Sequence, residues 1–201
     1  MRSLGTVMLN LLLTAPPRSG TTRVIWRLHE CFAAHGHRVG GIYSPEIRAD
    51  GDRVGFEIVD VMTGEGRVMA HVDRADGPQV GTYRVHVANV DAVCTAAFPA
   101  AFAEADVLVI DEIAPMEVYS DAFVHHVRRA LGAAVPVVAA IHARSTAGFI
   151  GEVKDRPDTE RCDVTPDNRD DLPATVGDRI CNQLYVGTGS IVGQCSFVWG
   201  R

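Results

Sequence analysis

Two short segments of this chain carry residues whose types and spacing suit phosphate chemistry. The first is Ala15-Pro16-Pro17-Arg18-Ser19-Gly20-Thr21-Thr22. It lies between an apolar run and a helical pattern, where a phosphate loop of the form G-x-x-x-x-G-K-[ST] would lie. Gly20 and Thr22 supply the last glycine and the hydroxyl of that pattern, while Ala15 stands for its first glycine and Thr21 for its lysine. Backbone N–H groups entering a helix, together with the helix dipole, attract phosphate oxygens whatever the side chains are. Thr22 retains a hydroxyl suited to Mg²⁺, but the ammonium that would face the β- and γ-phosphates is missing. One charge-assisted hydrogen bond contributes about 1.5–3 kcal/mol, so its loss weakens binding roughly ten- to a hundredfold unless another cation compensates. Arg18 and Arg23 flank the gap, although a guanidinium fork offers a different donor geometry. On its own the segment also reads as an ordinary strand-to-helix loop.

The second segment is Val107-Leu108-Val109-Ile110-Asp111-Glu112. Four apolar residues ending in an acid suit a buried strand whose carboxylate holds Mg²⁺. Glu112 is then placed to orient or deprotonate an attacking water. A solvated strand end explains the same pattern, and the functional reading gains from the loop-like segment upstream.

Other residues carry weaker arguments. Arg169, in Asn168-Arg169-Asp170, could reach a ligand across a cleft, or the segment could simply cap a final helix with Asp170 as its N-cap. Glu46 and Arg48 face either a ligand or solvent. His142 ends an apolar strand, and strand C-termini border the ligand crevice of open α/β sheets; a satisfied structural role is the plainer account. His35, His37, His125 and His126 lack the i, i+4 spacing of a helical metal pair and read as surface or capping residues.

These residues need elements to hold them. Residues 6 to 13 read as a buried strand and 14 to 22 as a loop. Residues 22 to 35 read as a helix with Val24, Ile25, Leu28, Cys31 and Phe32 on one face and Gly36 at its end. A β-rich section follows from about 38 to 87, with hairpin turns at Ala49 to Asp52 and Thr63 to Gly66. Such hairpins can extend the edge of a parallel sheet. A helix from Asp91, its N-cap, to Ala105 contains Pro99, which should kink or shorten it. Then come the acidic strand, a helix over 120 to 134 capped by Ser120, a strand over 135 to 143, a mobile loop over 144 to 162 and a last helix over 170 to 184. The alternation predicts one α/β domain spanning the 201 residues, a mostly parallel sheet flanked by helices with the antiparallel section added.

Composition excludes some functions. The net charge of −6 and the absence of a basic run argue against a nucleic-acid partner. No stretch is long enough to span a membrane, and Val7 to Leu13 reads as a strand, not a secretory leader. Five widely spaced cysteines with no CxxC pair point to free thiols in a reducing cytosol. The chain has eighteen arginines but only one lysine, Lys154, so a general Arg-for-Lys bias is the simplest background for Thr21.

Together the strings "PPRSGTT", "VGGIYSPEIRADGDRVGFEIVDVMTGEG", "VGTYRV", "VLVIDEIAPME", "PVVAAIH" and "NRDDLP" resemble the THEP-type nucleoside-triphosphatases, over nearly the whole chain. These are small P-loop enzymes of archaea and bacteria with an animal relative described as cancer-related. The resemblance implies a RecA-like P-loop fold and Mg²⁺-dependent hydrolysis of NTPs to NDP and phosphate with loose base preference. Carried over, it implies catalytic roles for Glu112 and Asp111 and a metal site at Thr22 and Asp111. Its nucleotide-binding set is Ala15, Pro16, Pro17, Arg18, Ser19, Gly20, Thr21, Thr22, Leu108, Val109, Ile110, Asp111, Glu112, Ile113 and Arg169. Thr21 and Ala15 depart from the family pattern and bear on rate and affinity, which keeps two alternatives open: nucleotide binding with little turnover, and a nucleoside or nucleotide kinase whose lid would use Arg144, Arg156 and Arg161. A monomer is the simplest assembly.

Overall fold

The structure is a computed structural model and describes residues 10–16 and 19–188. A run of sixteen elements alternates strand and helix around one sheet. β1 (Asn10–Thr14) leads through the loop into α1 (Thr21–Ala34), then β2 (Val39–Tyr43). An antiparallel block follows: β3 (Glu46–Ala49), β4 (Asp52–Asp60), β5 (Gly66–His71), β6 (Gln79–Val80) and β7 (Tyr83–Val85). The chain then alternates α2 (Val87–Glu104), β8 (Val107–Ile113), a 3-10 turn (Glu117–Tyr119), α3 (Asp121–Leu131), β9 (Val137–Ile141), α4 (Gly148–Lys154), β10 (Thr159–Asp163) and α5 (Leu172–Thr188).

The strand order is β10-β1-β9-β8-β2-β4-β5-β7-β6, with β3 paired to β4. From β10 to β2 the pairing is parallel, and from β4 onward it is antiparallel. β9 therefore lies between the strand that feeds the loop and the strand that ends in the acids. Strict period-two alternation sorts the central strands onto two faces. Leu11, Leu13, Val107, Val109, Val138 and Ala140 pack with Val24, Leu28 and Phe32 of α1 and with Val176 and Ile180 of α5. Leu12, Leu108, Ile110 and Ala139 pack with Phe98 of α2 and with Phe123 and Val127 of α3 on the other face. Leu11, Leu12 and Leu13 are completely buried, and each such side chain contributes about 1.5–3 kcal/mol of transfer free energy. With every central strand covered on both sides, the sheet gives the loop and acids at its C-terminal edge a rigid base.

Several expected elements hold and others move. Asp50 and Gly51 both have positive φ at the β3–β4 turn, the conformation a two-residue hairpin requires. The Thr63–Gly66 turn is closed by Asp60, whose carboxylate accepts from the Met62 N–H and the Thr63 hydroxyl. Ser120 caps α3 by accepting from the Phe123 N–H at 2.9 Å. α2 starts four residues before Asp91, with His86 at the N-cap position, and runs through Pro99 over 18 residues without being shortened. Asp91 instead accepts a hydrogen bond from the Ser120 hydroxyl, which ties α2 to α3. The segment 144–162 is not a mobile loop: it holds α4 and β10, and β10 pairs with β1 along its whole length. Phe149, Ile150 and Val153 of α4 pack on the core. His126 is not a surface residue; it is 9% exposed and stacks on Phe98 at 5.3 Å. Residues 6–9 of the first expected strand, and Cys195, lie outside the described residues. Cys31, Cys94 and Cys162 are free thiols. Among the described residues no helix is long and apolar enough to cross a membrane.

Candidate functional site

The loop enters α1 through Gly20, which adopts φ 101° and ψ 25° at the helix N-cap. A residue with Cβ is strained there by about 1–2 kcal/mol, which accounts for glycine at this one loop position. No side chain caps the helix, so its leading N–H groups remain available to an anion. The Ser19 N–H donates to the Pro16 carbonyl at 3.2 Å and tightens the turn. Ala15 packs against the α1–α5 core, Thr21 is half-buried and Thr22 is exposed. Pro17 and Arg18 lie outside the described residues.

β8 delivers the acids. Leu108, Val109, Ile110 and Ile113 are buried in the two core layers, so they form the wall beneath the crevice and present no polar group to a ligand. Asp111 follows at 4% exposure. The Thr22 side chain stands beside this carboxylate and favours its charged form. The loop and the acidic strand are thus joined across the intervening β9. Burial, then the neighbouring Glu112 charge, push Asp111 up to about 7 against the relief given by Thr22. Burial also raises Glu112.

A third carboxylate completes the cluster. Glu117, in the 3-10 turn after β8, is 2% exposed. It is raised well above the ordinary range by burial first and by the Glu112 and Asp111 charges next. Its Oε1 accepts from the Ser44 hydroxyl at 3.4 Å, and its Oε2 has no partner. Sequence reasoning quoted Glu117 within "VLVIDEIAPME" without a role; the recurrence of an acid five residues after Glu112 was the available clue. None of the three acids has an ion pair with Lys, Arg or His among the described residues. Asp111 and Glu117, buried and uncompensated, invite a cation. Among the described residues there is no group of three or more His, Cys, Asp or Glu side chains arranged to hold a metal ion by themselves.

The cations around the loop divide sharply. Arg23 and Arg27 both turn to Asp170, at 3.5 Å and 3.1 Å. Asp170 is therefore an ion-pair partner for α1, and it precedes α5 by two residues. Arg169 goes the other way: its Cδ lies 3.7 Å from where a Cβ on Gly20 would stand. Its Nε is buried without a partner. Lys154 donates to the carbonyls of His142, Ala143 and Ser145 at 2.7, 2.8 and 2.7 Å. Glu46 and Arg48 do not face the crevice chemistry; Glu46 pairs with Arg48 at 2.6 Å and with Arg53 at 2.7 Å on the antiparallel block.

Comparison with known proteins bears on the family and the fold. A family model described as NTPase matches residues 10–177. The nucleoside-triphosphatase THEP1 of Thermofilum pendens is 41% identical over 174 residues, covering 86% of this chain and 96% of that protein. The protein of the same name from Methanopyrus kandleri is 39% identical, covering 87% and 97%. Among solved structures, THEP1 from the hyperthermophile Aquifex aeolicus superposes with a TM-score of 0.73 at 26% identity, covering 84% of this chain and 96% of its own. A human cancer-related nucleoside triphosphatase superposes with a TM-score of 0.70 at 28% identity, covering 84% and 95%. With its fold and its matched span in agreement, the chain belongs to the nucleoside-triphosphatase family that this NTPase model and the THEP1 proteins represent.

Proposed function

We propose that this protein is a Mg²⁺-dependent nucleoside-triphosphatase that binds its substrate on the Gly20 loop and releases NDP and phosphate, with loose base preference. The observation that carries the reading is the approach of the Thr22 side chain to the buried Asp111 carboxylate, close enough to favour its charged form, which brings loop and acids into one site. Thr22 and Asp111 offer hard oxygen donors, the ligand type Mg²⁺ prefers, and phosphate and water fill most of its coordination in such sites. Bound there, Mg²⁺ would neutralise charge on the β- and γ-phosphates.

The chain's own residues supply the rest. The free N–H groups at the start of α1 hold the phosphate oxygens. Glu112 orients the attacking water and accepts its proton as the new oxygen–phosphorus bond forms and the bond to the β-phosphate oxygen breaks. Burial among Asp111 and Glu117 raises the basicity of Glu112, which suits a general base working near neutral pH. Arg169 supplies the cation that Thr21 does not. It lies over Gly20 with its Nε unpaired, whereas Arg23 and Lys154 have other partners. Leu108, Val109, Ile110 and Ile113 serve as the apolar floor that holds the acids in place, and Ala15, Pro16, Ser19 and Thr21 shape the loop backbone.

The test is phosphate release from ATP and GTP, with and without Mg²⁺, by wild type and Glu112→Gln. Mg²⁺-dependent release that the variant loses is the expected result; equal background rates in both would reject the enzyme. A binding-only protein is the second reading, favoured by Thr21 and Ala15. It predicts calorimetric nucleotide binding with no phosphate. The kinase reading loses support because Arg156, one of its lid cations, is committed to Asp158 and the Leu131 carbonyl.

A further inference from the structure

We propose that His142 is a further catalytic residue, donating a hydrogen bond from Nε2 to the terminal phosphoryl group of the bound nucleoside triphosphate. This assignment rests on the nucleotide-site reading above. His142 is the first residue beyond β9, the strand inserted between β1 and β8. It therefore stands at the C-terminal sheet edge between the loop and the acids. Its backbone N–H donates to the Ile113 carbonyl at 3.1 Å, which ties it to the chain one residue past Glu112. The strand order thus sets residue 142 between the strand ends that carry the Gly20 loop and the acids.

The local structure fixes the ring's proton. The Ser145 backbone N–H donates to His142 Nδ1 at 3.2 Å. A backbone N–H can only donate, so Nδ1 is unprotonated, and the Ser145 hydroxyl at 2.7 Å donates to the same nitrogen. The neutral ring then carries its proton on Nε2. Burial, with Lys154 and Arg144 close by, also holds the imidazole below its ordinary pKa, which keeps it neutral. Nε2 has no hydrogen-bond partner among the described residues. The loop that makes this arrangement is itself anchored: the chain's only lysine directs its ammonium to three carbonyls of residues 142–145. Such a clamp accounts for a lysine here in a chain that otherwise uses arginine, because three carbonyls in a tight loop need a compact ammonium with three donors. A fixed neutral donor facing developing phosphoryl charge is the kind of group that stabilises a transition state more than a ground state.

Two isosteres separate this role from a structural one. Asparagine sets an acceptor oxygen where Nδ1 lies and keeps the Ser145 bond, but loses the Nε2 donor. Glutamine sets an amide N–H where Nε2 lies and loses the Ser145 bond. Steady-state hydrolysis of MgATP should show kcat for His142→Asn reduced by about a hundredfold, the scale of one lost transition-state donor, with KM and melting temperature near wild type. His142→Gln should recover most of kcat. An active His142→Asn beside an impaired His142→Gln would overturn the assignment and make the ring a loop strut. Failure of the wild type to bind MgATP would overturn the nucleotide site and this assignment together.

Discussion

The two halves of the site have kept different things. At the loop, the side chains of the phosphate pattern are half gone: Ala15 and Thr21 replace its first glycine and its lysine. The backbone that matters is still there, with Gly20 in its left-handed conformation and an uncapped helix start behind it. At the end of β8 both acids are present, Asp111 buried and Glu112 half-buried, and they are joined by a third, the buried Glu117. The contrast is physical. Phosphate binding is distributed over several backbone N–H groups, so no single side chain carries it, and a guanidinium from another element can supply the charge. Proton acceptance and metal ligation each need one carboxylate at one place. A loop can therefore lose its lysine while the acids cannot be exchanged.

That comparison can be broken at either end. The largest effect belongs to the acids: Glu112→Gln should lower kcat by about 10²–10⁴-fold with nucleotide affinity within a few-fold of wild type, measured by phosphate release and calorimetry. A variant that hydrolyses normally would remove the distinction between the halves.

Next is the stability of the metal-free protein. Asp111 rises from 3.8 to about 7 on folding, first through burial and then through Glu112. Its folded-state pKa lies above its unfolded one, so folding takes up a proton between those values. The resulting stability is fully present below pH 4 and is lost as pH rises through about 7. Asp111→Asn should therefore be more stable than wild type at pH 8, on the order of 4 kcal/mol, and nearly equal to it at pH 4. Urea unfolding in EDTA measures both, and a pH-independent difference would mean that the carboxylate is not desolvated.

The smallest effect is at the loop itself. Gly20→Ala has room, since its new Cβ would sit 3.7 Å from Arg169 Cδ, but its φ of 101° is unfavourable. The expected destabilisation is about 1–2 kcal/mol, read as a fall of a few degrees in Tm. An unchanged Tm would show that the loop relaxes to another conformation, and the backbone argument for phosphate binding would weaken with it.

Much of this was legible in the sequence, for a stated reason. Buried parallel strands are apolar throughout and hairpin turns carry their glycines, so β1, β8, β9 and the β3–β4–β5 block could be read from pattern. β10 could not, because Thr159–Asp163 is a polar edge strand and pairs on one side with β1. α4, only seven residues long, gives too short a period to register. Of the site, the loop and the acid pair were visible as local strings. The approach of Arg169 to Gly20, distant from it in the sequence, depends on how α5 packs on α1, and no local pattern encodes that. Glu117 and His142 were missed or set aside for a related reason: a carboxylate in a turn and a histidine after a strand are ordinary until the fold brings them beside Asp111 and Ile113.

The central claim is that a cation from outside the loop stands in for its lysine. A double-mutant cycle of Arg169→Gln and Thr21→Lys, built in the Glu112→Gln background and read by MgATP calorimetry, tests it most directly. The account predicts that Arg169→Gln alone weakens binding about ten- to a hundredfold. It also predicts that Thr21→Lys restores most of that loss in the double variant while adding little to a chain that retains Arg169. Strictly additive effects, or an Arg169→Gln variant that binds as tightly as its parent, would contradict it.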